Sequence, residues 1–382
     1  MNTQTIISGP HTHAKEGVSL IMATVMLALL PATVFGVYMY GWPALNLLII
    51  TVAAAILSEA FGLWMMGKSV RLYLFDGSAV LTGWLLALTL PPWAPWWIGA
   101  LGSALAIIVG KQVFGGMGQN VFNPAMLARV ALLVSFPVPM TTWIDPKPLF
   151  SQNSPGFFES LAITFKGIPH VDSMSSASVL GHTKTEFTLG HMLSQSLPDS
   201  FSTLHAALGF TNGSLGETSA VLIVIGGLLL LARRIITWHI PVSTIGSVAL
   251  LALVFHFINP ERYADPIVHL LSGGLMLGAF FIATDLVTSP STPKGQLLFG
   301  AGCGAVIFTI RTWGAFPEGV GFAVLIMNAV SPLIDHYVRP RIYGRDRKGK
   351  VLPVAARQTP QTSPNGKGSI MGSTKENDDV RK

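Results

Sequence analysis

The stretch from Asp172 to Leu180 holds the residues best suited to chemistry: Asp172, Ser175, Ser176, Ala177 and Ser178, followed by the aliphatic Val179 and Leu180. An acidic residue precedes a Ser-x-Ala-Ser core, and an aliphatic closes it. That is the shape of a site where a flavin is hung covalently on a hydroxyl. Attaching FMN through its phosphate makes a phosphoester, so the acceptor must be an aliphatic hydroxyl, and Ser178 supplies one. Small neighbours such as Ala177 leave the backbone open to a flavin transferase and to the isoalloxazine. The plainer reading is a serine-rich exposed loop without a role, and composition alone favours it.

The elements that must position this loop are membrane-length. Half of the residues are apolar and 11% are charged, and the mean hydropathy is +0.55. A soluble chain of this length needs far more surface charge. About ten apolar segments recur, over 19–40, 43–66, 77–92, 94–112, 122–138, 218–236, 241–258, 266–285, 296–312 and 317–337. Several are short, and Gly or Pro interrupts them, which predicts tilted or broken helices packed inside a bundle. The expected fold class is therefore an all-α polytopic membrane protein with about ten transmembrane helices. Residues 1–18 are polar and lack a basic region feeding an apolar run, so no cleaved signal peptide is expected. The single cysteine, Cys303, cannot form a disulfide within the chain or hold an iron–sulfur cluster alone. No Cys-x-x-Cys-His occurs, which excludes covalent c-type haem. The basic excess is modest and lies mostly in short loops and the tail, which fits membrane topology rather than nucleic acid.

Basic residues set the orientation. With the N-terminus in the cytoplasm, Lys68, Arg71, Lys111, Arg233, Arg234, Lys294, Arg339, Arg341 and Arg345 all fall on the cytoplasmic side, as the positive-inside rule requires. The opposite side carries the aromatic belt Pro91-Pro92-Trp93-Ala94-Pro95-Trp96-Trp97 and the run from Asn259 to Tyr263. Both termini are then cytoplasmic. The long loop is on the trans side, periplasmic in a two-membrane bacterium. The expected division is 1–138 for an N-terminal segment and the first helices, 139–217 for the loop, 218–345 for the second set, and 346–382 for a disordered cytoplasmic tail. Weak echoes link the halves. Ser78-Ala79 with Gly83 and Ala87, then Pro91, resembles Ser272-Gly273 with Gly278 and Ala283, then Pro290. Asn120-x-x-x-Pro124 resembles Asn328-x-x-x-Pro332. An odd number of spans per half turns the second half upside down, giving two inverted five-helix repeats with sites at broken helices near their interface. The competing view is that small residues and Pro recur in any helix bundle.

Other polar residues carry less. Asn120 and Asn123 precede Pro124 and read as helix caps. Asp76 and Asp285 sit at matching ends of the two halves, as caps or on a cation route, with caps favoured. Glu59, Arg129 and Arg311 lie in or near apolar segments and need partners or a water cavity, which the sequence does not name. His170, His182, His191 and His205 lack metal-ligand spacing, so solvated histidines are expected rather than a metal site. No glycine-rich dinucleotide fingerprint follows a strand, so nicotinamide belongs elsewhere.

Motifs spread over the chain narrow the reading. They are Asp76-Gly77-Ser78-Ala79-Val80-Leu81-Thr82-Gly83, the aromatic belt at 91–97, Gly115-Gly116-Met117-Gly118-Gln119-Asn120-Val121-Phe122-Asn123-Pro124-Ala125-Met126, Ala283-Thr284-Asp285-Leu286-Val287-Thr288, the run from Pro317 to Leu325, and Arg339-Pro340-Arg341-Ile342-Tyr343-Gly344. In this order, from about Ser8 to Arg345, the chain resembles the D subunits of Rnf electron-transport complexes. More distantly it is similar to the B subunits of the sodium-translocating NADH:quinone reductase. The resemblance implies FMN on a phosphoester at the position of Ser178, where the family usually has threonine; the hydroxyl is kept and the methyl is lost. Ser173 replaces a common glycine and Leu286 a usual proline. The distant relatives place a non-covalent riboflavin against asparagines matching Asn120 and Asn123. The implied function is a membrane electron carrier in a complex coupling ferredoxin and NAD redox chemistry to ion movement, seated in a bacterial inner membrane. The implied protein is one subunit, not an autonomous enzyme. Its partners are the other subunits of an Rnf-type complex, including a flavoprotein on the periplasmic side, together with a flavin transferase and the lipid bilayer. Two rival readings are a solute channel or transporter on the same inverted-repeat fold, and a membrane scaffold without a cofactor. A plain channel has no need of Asp172 with Ser175, Ala177 and Ser178.

Overall fold

Apolar runs of this length satisfy their backbone polar groups inside a bilayer only as helices. The computed structural model, which describes residues 17–152, 154–167, 175–176, 178–190 and 203–339, is mostly helical. Asp172, Ala177 and the expected tail at 346–382 lie outside the described residues. The chain divides into two compact units, Met1–Arg339 and Pro340–Lys382, and everything below concerns the first.

Helix α1, Val18–Met65, has 48 residues and joins two segments that the sequence reads as separate. At 1.5 Å per residue it is roughly twice as long as a ~30 Å hydrocarbon core is thick, so it cannot cross straight. It kinks at Gly41, whose φ is +75°, two residues before Pro43. Glycine takes that conformation without a Cβ clash, and proline removes a ladder donor beside it. Helix α2, Ser78–Thr89, follows, then α3, Trp96–Ala104, which widens into a π-helical stretch over Leu105–Gln112, then α4, Pro124–Ser135.

The long connection contains α5, Phe157–Lys166, and α6, Val179–Leu189, with a two-stranded antiparallel pair, β1 Trp143–Ile144 and β2 Ser175–Ser176. Its described parts are strapped to α1. Leu149 N–H donates to Tyr38 O at 2.8 Å, and Asn46 Nδ2 donates to Ser160 Oγ at 3.1 Å. The Tyr40 hydroxyl donates to Gly213 O at 3.0 Å and accepts from Gly213 N–H at 3.1 Å.

The second half holds α7, Ala220–Ala232, and α8, His239–Ile258. Helix α9, Pro266–Leu271, is separated by a break at 272–274 from α10, which starts as Leu275–Leu277 and continues as a π-helical turn over Gly278–Ile282. Helices α11, Pro293–Trp313, and α12, Val320–Tyr337, complete it. The sequence reads 266–285 as one interrupted segment, and the interruption is Gly273, with φ +72°. Helices α1, α8 and α12 are long and apolar enough to cross a membrane, while α2, α4 and α7 are shorter apolar helices.

Small residues bring the helices together, as expected where lipid removes the hydrophobic drive between them. A Cβ on Gly83 of α2 would stand 2.8 Å from Ala55 Cβ and 3.0 Å from Val52 Cα of α1, and one on Gly304 of α11 would stand 2.7 Å from Ser247 Cβ of α8. A continuous buried core then runs through Leu29, Leu86, Leu132, Phe281 and Phe299, drawing on both halves.

Candidate functional site

Ser178 is the N-cap of α6. Its backbone is extended, and its hydroxyl accepts from Gly181 N–H at 3.1 Å. A Cβ at position 181 would lie 3.2 Å from that oxygen, so glycine keeps the approach open. The free N–H groups and positive dipole end of an 11-residue helix suit an esterified phosphate at this oxygen. Both flanks of Ser178 are held. Upstream, Ser175 and Ser176 pair with Ile144 and Trp143. Downstream, Lys184 Nζ donates to Ile310 O at 3.1 Å and Arg311 O at 3.2 Å, in the last turn of α11. A cation is favoured against those carbonyls, although burial lowers the Lys184 pKa. Ser178 thus opens a helix that Lys184 ties to α11.

Ser178 lines a narrow pocket with Trp143, Asn212, Glu217, Ser272 and Glu318. Its floor is the break between α9 and α10. Arg311 donates to the freed carbonyls of His269 at 2.6 Å and Ser272 at 3.0 Å, and it reaches Glu318 Oε1 at 3.2 Å. Gly274 N–H donates to Glu318 Oε2 at 3.1 Å. These bonds satisfy backbone groups that any broken helix leaves orphaned. Glu217 is half-buried and accepts from Ser214 N–H at 3.3 Å. Burial first, then the Glu318 charge, push its carboxyl up to about 7, against the opposing pull of Ser214 and Arg129.

Asn120 and Asn123 line a second cavity of about 860 Å³, counted with its open mouth, together with Lys111, Phe280, Phe281 and Thr284. Asn123 does cap α4, its Oδ1 accepting from Met126 N–H at 3.2 Å, and its Nδ2 donates to Ile282 O at 3.4 Å, in the π turn. Asn120 Nδ2 donates to Phe122 O at 3.1 Å. Asp76 accepts from Ser78 N–H at 2.7 Å, and Asp285 from Val287 N–H at 3.2 Å; both are turn caps. Apolar and aromatic side chains with two amides are the groups that could meet the faces and edges of a flavin ring.

The family model for NQR2, RnfD and RnfE matches residues 5–344. The chain belongs to that family. It is 56% identical over 347 residues to the D subunit of the ion-translocating oxidoreductase complex of Stutzerimonas stutzeri, covering 91% of this chain and 98% of the relative. It is 52% identical to the protein of that description from Halorhodospira halophila, covering 91% and 97%. An Escherichia coli protein of the same description is 42% identical over 356 residues, covering 90% and 99%. Membership of this family, with the apolar helices, makes the chain a multi-pass membrane protein.

Within this NQR2, RnfD and RnfE chain, the sequence places the charges but does not pair them. Lys111 reads as one of the cytoplasmic-side charges, yet it is buried in the π stretch. Its Nζ lies 2.9 Å from Glu59 Oε1 and donates to Ser78 Oγ at 2.7 Å, and both charged side chains are 3% exposed. The signal is Glu59 itself, a carboxylate in an apolar segment that demands a cation. Glu217 closes a Ser-x-x-Glu capping box at 214–217 and Glu318 lies in the run from Pro317 to Leu325, but neither pattern says that the two acids line one pocket.

Proposed function

We propose that this chain is a membrane electron-carrier subunit of an ion-translocating oxidoreductase complex, with FMN held as a phosphoester on Ser178. The observation that carries the reading is the Ser178 hydroxyl at the N-terminus of α6, a helix tied to α11 through Lys184. When bound, FMN supplies one- and two-electron transfer. Ser178 would anchor it, the N-terminus of α6 would favour its phosphate, and Lys184 holds α6 against α11. Asn120 and Asn123 are the residues that would hold a second, non-covalent flavin such as riboflavin in the larger cavity. The complex-subunit role comes from the relatives' descriptions.

The proposed setting is a bacterial inner membrane crossed about ten times by two inverted repeats, with both termini cytoplasmic and Ser178 periplasmic. The kinked α1, the break at 272–274 and the bias of Lys and Arg support this arrangement. Electrons would arrive from a neighbouring flavoprotein subunit on the periplasmic side, and a flavin transferase would load Ser178. A solute channel on the same fold would use the break and the cavities but leave Ser178 idle.

In-gel flavin fluorescence of the denatured chain, co-expressed with its flavin transferase, tests the reading. Wild type and Ser178→Thr should give a fluorescent band, and Ser178→Ala should give none. No band from wild type, or one unchanged by Ser178→Ala, overturns it.

A further inference from the structure

Helix α5, Phe157–Lys166, is inside out for a helix that faces water. Its buried residues are Ser160, Ile163 and Thr164, while Phe158 is 83% exposed and Phe165 56%. A solvated helix packed on a protein does the reverse, hiding its apolar stripe and showing its polar face. The inward hydroxyls are satisfied where they sit. Ser160 Oγ accepts from Asn46 Nδ2 of α1 at 3.1 Å and donates to Phe157 O at 2.6 Å, and Thr164 Oγ1 donates to Ser160 O at 2.8 Å. The rotation of α5 about its own axis is thereby set, and the phenylalanines point outward because of it.

At about 3.6 residues per turn, the helix has three faces. Ser160, Ile163 and Thr164 make the buried face, held on α1 through Ser160. Phe158, Leu161 and Phe165 make an outward apolar stripe. Glu159 and Lys166, two turns apart, share the remaining edge, and both are exposed.

The position of α5 along α1 selects its partner. The arms of α1 on either side of Gly41 are each about one membrane span long, so the kink lies at a membrane face. Helix α5 lies against that kink. Trp42 packs edge-on against Phe157 with ring centroids 5.5 Å apart, Asn46 binds Ser160, and just upstream Leu149 N–H reaches Tyr38 O at 2.8 Å. At the other end of α5, Phe165 meets Trp96 at the start of α3, with 6.1 Å between centroids. Trp96 belongs to the aromatic belt at 91–97, and tryptophans gather at the headgroup level. The apolar stripe is thus continuous with the ends of two membrane helices.

We propose that α5 is an interfacial helix whose partner is the lipid bilayer. It lies in the plane of the membrane face at the α1 kink, with Phe158, Leu161 and Phe165 among the upper acyl chains and Glu159 and Lys166 toward headgroups and water. An apolar stripe beside a charged edge matches that boundary. The long connection is then tied to the membrane by its own side chains. Neither the flavin on Ser178 nor the choice of compartment enters this placement.

Spin labels on single cysteines test it in the assembled complex, reconstituted in liposomes, with Cys303→Ser as background. Labels at Phe158→Cys and Phe165→Cys should be relaxed more strongly by lipid-soluble oxygen than by a water-soluble nickel chelate. The order should reverse at Glu159→Cys and Lys166→Cys. Nickel winning at all four positions makes α5 a solvated helix and overturns the proposal. Labels at Phe158→Cys and Phe165→Cys that neither reagent reaches reveal a covering protein neighbour and overturn it as well. A second readout leaves the sequence untouched. Wild-type complex photolabelled by a diazirine carried on a lipid acyl chain should take label within 157–166, as at the exposed Leu250 of α8. Label on α8 with none within 157–166 overturns the proposal even where the cysteine variants fail to fold.

Discussion

Ser178 does two jobs with one oxygen. As an N-cap it closes the first turn of α6, and as a free aliphatic hydroxyl it is the phosphate acceptor the reading requires. Serine and threonine both do this, so Ser178→Thr should change neither the cap nor the ester chemistry. Lys111 and Glu59 pose a different problem. Two charges at 3% exposure are tolerated because each answers the other, and removing one leaves a buried charge without a counterpart. Lys111→Met should therefore lower stability by about 3–5 kcal/mol in detergent melts, and adding Glu59→Leu should recover most of that loss. A double variant as unstable as the single one would show that the pair does not act as a unit.

The elements that matter are the irregular ones. The kink at Gly41 lets one helix serve two segments and brings Tyr40 against Gly213. The break at 272–274 exposes carbonyls that Arg311 then gathers, and so draws α9, α10 and α11 to the pocket that Ser178 lines. Gly273 is the hinge of that break. At φ +72° a Cβ is strained, and here it would also strike Glu318 Oε2. Gly273→Ala should cost at least about 1–3 kcal/mol. Gly246→Ala, inside α8 with nothing within 4 Å of the new methyl, should be neutral or stabilising by up to about 1 kcal/mol. Equal melting temperatures for the two variants would contradict this account of the break.

At the scale of the whole molecule, orientation decides whether the two cavities face different compartments. In the proposed topology, the bias of Lys and Arg would put Ser178 outside and the Asn120–Asn123 cavity toward the cytoplasm. Single cysteines in a Cys303→Ser background report this. An impermeant maleimide added to spheroplasts should label Thr188→Cys and leave Lys294→Cys untouched until the membrane is opened; both positions are exposed in the structure. The opposite pattern would invert the topology. With the proposed orientation, a flavin on Ser178 and one beside Asn120 and Asn123 would place redox groups near opposite faces of one protein chain, which is what an electron carrier through a membrane needs.

The sequence by itself determined the helical segments, the membrane setting, the candidate hydroxyl and the family. Each depends on composition or order along the chain: apolar runs force helices in lipid, and an acceptor hydroxyl is a residue type at a position. The tertiary structure decided the partners. Glu59 meets Lys111 across 52 residues, Arg311 meets Ser272 across 39, and Ser178 comes to share a narrow pocket with Glu217. Contacts at those separations leave no periodicity to read; they exist because a kinked helix, a broken helix and close glycine packing fold distant polar groups into one low-dielectric interior, where each must find a counterpart.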